Sequence, residues 1–219
     1  MAIKLEKNKG ISLKKADKGI GYIRVGLGWD AKIVVKERVE KRALFGLMST
    51  GKYEIRERQI DKDVDIDASI FLYNSNKNPV GECSYRNKTV TMNGRTLIRH
   101  SGDNRTGSAK GDDETIEVFL EEMLNTPVHY AYVVLNVFSP EIDFEAIRNA
   151  YVNIYDKAGT KLAEYNLTDD YTHKNGVIAA KLVKHIDQSG NKSWEFVALG
   201  DGLDNAERLD KIINRAINY

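Results

Sequence analysis

Two stretches of the sequence carry more oxygen ligands than a tight turn needs. From His100 to Glu114 the chain reads HSGDNRTGSAKGDDE, with four carboxylates, an amide, three hydroxyls and three glycines. Gly, Asp, Asn and Ser favour turns for local backbone reasons, so a solvated loop is the simplest reading. Upstream, Asp63, Asp65 and Asp67 alternate with Val64 and Ile66, ahead of Ala68-Ser69-Ile70-Phe71. Alternate residues of a strand share one face, so these carboxylates point the same way and repel one another. Such crowding is tolerated when solvent screens it or when a cation sits between the groups.

The opening stretch offers the further oxygens a cation needs. Asp103, Asp112, Asp113 and Glu114 bring carboxylates, Asn104 a side-chain carbonyl and Thr106 a hydroxyl. Gly102, Gly107 and Gly111 let the backbone bend and turn its own carbonyls inward. Hard oxygen ligands without histidine or thiolate select calcium or magnesium over zinc or copper, and an irregular Gly-rich loop suits calcium. The EF-hand template fails. Counted from Asp63 it places Ala68 at the turn glycine and Asn74 at the bidentate Glu; counted from Asp103 it places Arg105 and Gly107 at ligand positions.

Other chemistry is poorly supported. Gly26-Leu27-Gly28 lacks the third glycine of a dinucleotide fingerprint, and there is no phosphate-loop, HExxH or GxSxG motif. His100, His129, His173 and His185 are dispersed and read as ordinary surface or core histidines. Cys83 reads as a packed thiol, and Trp29 and Trp194 as core aromatics. A metal-dependent phosphoesterase or nuclease would need a general base outside the acidic set, and none stands out.

The elements that must position these residues are mostly strands. YIRVGL from Tyr22, IDASIFLY from Ile66, TIEVFL from Thr115, YVNIYD from Tyr151, KLAEYNL from Lys161 and KSWEFVAL from Lys192 read with period two. AYVVLNVF from Ala131 and VIAAKLVKHI from Val177 suit strands covered on both faces. Turn pairs at Asn93-Gly94, Ala158-Gly159, Asn175-Gly176 and Ser189-Gly190 separate them, as in an antiparallel sandwich or barrel. Leu209, Ile212, Ile213, Ala216 and Ile217 mark one face of a terminal amphipathic helix. Pro140 to Ala150 is expected to hold a short helix. Ile33 to Ile60 is ambiguous: VVKERVEKRALFGLMS reads as a helix, KYEIRERQI as a strand. From Lys32 to Lys62 there are nine basic and five acidic residues, a locally positive segment best read as a solvated face.

Composition bounds the rest. The 219 residues are 42% hydrophobic, carry a formal net charge of +1 and include three prolines and no linker-like tract, which argues for a single domain over 1–219. The near-zero net charge gives no field toward nucleic acid or anionic lipid. The single cysteine excludes an internal disulfide and fits a reducing compartment, so a cytoplasmic location is expected. Neither a signal peptide nor a membrane span is expected, because the N-terminal segment lacks an apolar core and no run of 18 apolar residues occurs.

GDNRTG at Gly102 to Gly107, followed by GDDE at Gly111 to Glu114, resembles the signature of the tellurium-resistance TerD domain family. Matching segments occur in order: ISLKKADKG from Ile11, VGLGWD from Val25, DIDASIFLY from Asp65, YRNK from Tyr85, AYVNIYD from Ala150, AEYNL from Ala163 and SWEFVALGDG from Ser193. The resemblance implies a mainly β protein, a two-sheet β sandwich with a few short helices, here extended by the C-terminal amphipathic helix at about 204–219. It also implies two bound calcium ions. The implied ligands are Asp30, Asp65, Asp67, Asp103, Asn104, Thr106, Asp112, Asp113 and Glu114, with a backbone carbonyl from Gly102. The implied role is a non-enzymatic calcium-binding module of tellurite resistance and stress response, acting through other proteins of such a system. Two departures stand out. About 20 extra residues, at about 33–60, separate GWD from DIDAS, and LNVFSPEID replaces the segment where the family often carries a His-Asp pair.

Overall fold

The computed structural model describes every residue except 1, 16–17, 31, 44–47, 108–109, 140–141, 168–170 and 207. In chain order the strands are β1 (Ile3–Lys4), β2 (Gly10–Ser12), β3 (Lys14–Lys15), β4 (Lys18–Gly19), β5 (Ile23–Gly28), β6 (Lys32–Ala43), β7 (Met48–Asp61), β8 (Ile66–Asn74) and β9 (Pro79–Cys83). Then come β10 (Thr89–Met92), β11 (Arg95–His100), β12 (Glu114–Val118), helix α1 (Leu120–Met123), β13 (Val128–Val137), β14 (Tyr151–Tyr155), β15 (Lys161–Asn166), β16 (Gly176–Ile186), β17 (Lys192–Leu203) and helix α2 (Leu209–Ala216).

The period-two segments build two sheets of a β sandwich. Seven strands run in the order β1-β15-β14-β5-β12-β11-β10, and six in the order β2-β17-β16-β13-β8-β9. Inward residues such as Val25, Leu27, Ile70, Leu97, Ile116, Val133, Ile154 and Leu182 fill one core between the sheets. The continuous apolar runs of β8, β13 and β16 have a second use. Their outward residues Phe71, Tyr73, Tyr132, Val134 and Ile178 pack beneath α2, whose Leu209, Ile212 and Ala216 are buried there. The Tyr73 hydroxyl donates to the Ile213 carbonyl, tying the helix to β8. The terminal helix therefore spends its apolar face on its own sandwich.

Between Trp29 and Asp65 the described residues form strands in place of a helix. β6 and β7 pair antiparallel from Lys32↔Asp61 to Ala43↔Met48, forming a long two-stranded ribbon of mostly exposed residues. Cross-strand ion pairs, including Arg58–Glu37 at 2.8 Å and Lys41–Glu54 at 3.4 Å, line it, which the local helix propensity of KERVEKR could not forecast. Its root is held where Val34 N donates to Ala146 O at 3.0 Å and Ile33 bridges Ile147. The residues described from 142 to 150 form turns and that bridge, in place of the short helix expected there; Pro140 lies outside the described residues.

Candidate metal centre

Strand β8 brings the carboxylates to one end of the sandwich. Ile66, Ala68, Ile70 and Leu72 face the inter-sheet core, so Asp67 and Ser69 project from the opposite face, in line with Phe71 and Tyr73. The pairing of β8 with β9 starts at Ile70↔Cys83, which leaves the backbone of Ala68 without a strand on that side. Side chains from the other sheet replace it. Ala68 N donates to Glu114 Oε2 at 2.8 Å, and His100 Nε2 lies 3.2 Å from Ala68 O. His100 Nδ1 accepts from Gly102 N at 3.0 Å, so the ring proton sits on Nε2, aimed at that carbonyl.

The GDNRTG loop hangs from the same carboxylate. Glu114, fully buried, uses Oε1 to accept from Asn104 N at 3.0 Å. Asn104 Oδ1 in turn accepts from Thr106 N at 3.0 Å and Gly107 N at 3.2 Å, and its amide donates to Asp113 Oδ1 at 3.3 Å. Gly107 adopts φ +63°, and a Cβ there would run into the Trp29 indole nitrogen, which itself donates to Val64 O at 3.0 Å. The glycine is thus required by both its dihedral and its floor.

This frame brings Asp65, Asp67 and Asp103 together, with one oxygen from each within 4.8 Å of the others. Asp67 is 5% exposed, and its pKa is pushed from 3.8 up to about 7 by burial first, then by the charges of Asp65, Glu114 and Asp103. Burial and the Asp103 charge raise Asp65 as well. Asp65 Oδ1 is buried without a hydrogen-bond partner. A buried anion beside like charges is costly unless a cation or a proton joins it, so the donor set fits a hard divalent ion.

The remaining predicted ligands are placed differently. Adjacent residues of an extended chain point opposite ways, and Asp112 and Asp113 divide accordingly. Asp112 lies over Gly26 on the outer face of the seven-stranded sheet, where Oδ2 pairs with Arg24 at 3.2 Å and Oδ1 accepts from Asn153 and the Tyr155 hydroxyl, both at 3.2 Å. Asp113 Oδ2 accepts from Trp29 N at 2.9 Å. Asp30 Oδ2 accepts from Asn149 at 2.7 Å. Asn104 and Thr106 shape the loop, and Gly102, at φ +131°, turns it onto His100. Among the described residues only the Asp65–Asp67–Asp103 trio converges.

Residues that sequence reasoning passed over also line this end. Ser139 Oγ accepts from Asp65 N at 2.8 Å and Phe138 N donates to Asp65 O at 2.9 Å, so the segment departing from the family pattern forms part of the wall. Asn136 stands directly across from Asp67 in the β8–β13 register. A polar residue inside the apolar run AYVVLNVF was the available signal. Cys83 is fully buried, with its thiol pushed up to about 12 by burial, which suits packing and not thiolate chemistry.

The same fold occurs in known proteins. The TerD domain family model matches residues 1–215. The chain belongs to the TerD domain family. Tellurium resistance protein TerZ of Serratia marcescens is 31% identical over 198 residues, covering 90% of this chain and 89% of that protein. Stress response protein SCP2 of Bacillus subtilis (strain 168) is 30% identical, covering 99% and 100%. The crystal structure of a homologue of telluride resistance protein (TerD) from Streptomyces coelicolor A3(2) superposes with a TM-score of 0.55 at 17% identity, over 85% of this chain and 92% of that one. This TerD-family chain shares their tellurium-resistance and stress-response kinship, and no helix among its described residues is long and apolar enough to cross a membrane.

Proposed function

We propose that this TerD-family protein is a non-enzymatic calcium-binding module of the stress response, in which the ion fixes the acidic end of the sandwich for contact with protein partners. The observation that carries the reading is the convergence of Asp65, Asp67 and Asp103 with Asp67 held against ionisation. A bound divalent ion would remove the mutual repulsion and lock β8 to the GDNRTG loop, coupling ion binding to folding stability. Asp65, Asp67 and Asp103 are the ligands in this reading, while Asn104, Thr106, Asp113 and Glu114 hold the loop in place. The second ion implied by the family resemblance has no converged acidic cluster of its own among the described residues.

Both ends of the β6–β7 ribbon are rooted beside this site, since β6 follows Trp29-Asp30 and β7 ends four residues before Asp65. Its exposed Met48, Tyr53 and Ile55, with Tyr53 stacked under Arg38 at 3.9 Å, give the ribbon a mixed apolar and charged surface suited to protein contact. The compartment we propose is the cytoplasm. The test is thermal melting in chelator and in calcium. A calcium-dependent rise in Tm that disappears in Asp65→Ala and Asp103→Ala supports the reading; identical melts in chelator and in saturating calcium reject it.

A further inference from the structure

The outer face of β8 changes character along its length. At one end Phe71 and Tyr73 lie beneath α2; at the other, Asp67 and Ser69 follow in the same alternation. The adjacent strand β13 shows the same change, from Tyr132 and Val134 under the helix to Asn136. Three of the four buried side-chain oxygens without a hydrogen-bond partner among the described residues belong to this polar end: Asp65 Oδ1, Ser69 Oγ and Asn136 Oδ1. Asn136 is 1% exposed and Ser69 fully buried. A buried amide oxygen with no donor is a costly arrangement that native structures rarely keep without a use.

Asn136 is paired with Asp67 in register, which sets their Cβ atoms about 5 Å apart on the same face. It favours ionised Asp67 by hydrogen bonding, as the nearby Arg105 charge also does, against the raising effects of burial, Asp65, Glu114 and Asp103. The Asn136 NH2 group serves that role, and its carbonyl oxygen is left buried without a partner on the residue that faces Asp67 across the strands.

We infer that Asn136 supplies a neutral oxygen ligand from inside the sandwich to the cation held by Asp65, Asp67 and Asp103. The inference rests on the proposed cation site and adds an element that the acidic signature does not contain. A fourth carboxylate at this buried position would add repulsion; an amide oxygen adds coordination without charge. The extra ligand raises the coordination number toward the 6 to 8 oxygens that calcium accepts in irregular geometry, whereas magnesium holds to a near-ideal octahedron.

The test uses the full chain, calcium and terbium(III). Asn136→Leu keeps the branched shape while removing both the unpartnered oxygen and the NH2 donor to Asp67. A ligand role predicts calcium affinity weakened about 10- to 100-fold, and an additional water on bound terbium, read from luminescence decay in H2O and D2O. Asn136→Asp keeps the oxygen and loses the NH2 donor. It is expected to bind calcium at least as tightly as the wild type while melting lower without metal. If the wild type binds calcium and Asn136→Leu binds it within twofold with unchanged terbium hydration, the inference is wrong while the site stands. If Asn136→Leu fails to fold, loss of calcium binding in Asn136→Asp overturns the inference and retention supports it. If the wild type binds neither ion, the proposed site itself fails.

Discussion

Replacing Asp67 with Asn should stabilise the metal-free protein and destabilise the calcium-loaded one relative to the wild type. Asp67 has its pKa raised from 3.8 to about 7, chiefly by burial and then by Asp65, Glu114 and Asp103. A folded-state pKa above the unfolded value means that the folded state holds the proton more tightly. The associated stability is complete below about pH 4 and is lost as pH rises through about 7. At 1.36 kcal/mol per unit the loss is about 4 kcal/mol by pH 8. Asn has the same shape and no charge to desolvate, so Asp67→Asn should recover much of this, an upper shift of about 8–16 °C in Tm for a chain of this size. At pH 5, where wild-type Asp67 is mostly protonated, the gain should fall to less than half. In calcium the order reverses, because only the wild type gains the ion's binding free energy. Melts followed by circular dichroism in chelator and in calcium, at pH 5 and pH 8, give all four values. A lower Tm for Asp67→Asn in chelator at pH 8, or a difference independent of pH, would refute the reasoning.

Further outcomes follow from individual contacts. Glu114→Ala strips acceptors from the amides of Ala68 and Asn104, at about 1–3 kcal/mol for each buried group; hydrogen exchange at these two amides should accelerate even in calcium. Gly107→Ala forces a Cβ against Trp29 at φ +63° and should lower stability by about 1–3 kcal/mol, read from chemical denaturation, with calcium affinity reduced in parallel. Asp112→Ala removes the partner of Arg24, Asn153 and Tyr155 and should lower Tm while leaving calcium affinity within a few-fold, since Asp112 serves the opposite sheet face; a complete loss of binding would move Asp112 into the ion site. Replacing residues 37–56 by a short turn, which keeps the root at Ile33, Val34 and Val35, should preserve both the melt and the calcium titration but abolish partner capture; a collapsed melt would show that the ribbon is structural.

How much of this was legible depends on the range of the interaction that decides each feature. The period-two runs from Ile66, Tyr151, Lys161 and Lys192 became strands because alternation is a local property that two facing sheets reward directly. The 3.6-residue spacing of Leu209, Ile212 and Ala216 likewise marked α2 and its buried face. The segment from Lys32 to Asp61 was not legible. Its helix-forming residues are overruled by register with a partner strand up to 29 positions away, a pairing that local propensity does not see.

The convergence of carboxylates was legible only in part. Alternation in Asp65-Ile66-Asp67 correctly put both carboxylates on one face. In GDDE, nothing in the spacing tells which acid meets Arg24 across the sheet and which caps Trp29 N; that division follows from where β12 begins beside β5. Glu114 reads as one more ligand in sequence, yet both its oxygens are taken by backbone amides. Asn136 and Ser69 were hidden by their apolar neighbours, although a polar residue in a doubly covered strand is the kind of local conflict that marks function.

The most direct measurement is isothermal titration calorimetry of calcium into the chelator-treated protein at pH 8, with Asp67→Asn in parallel. A saturable binding isotherm for the wild type, absent from the Asp67→Asn variant, is the predicted result. The absence of any binding heat from the folded wild type, or an isotherm unchanged by the substitution, would contradict the claim that Asp65, Asp67 and Asp103 share a divalent ion.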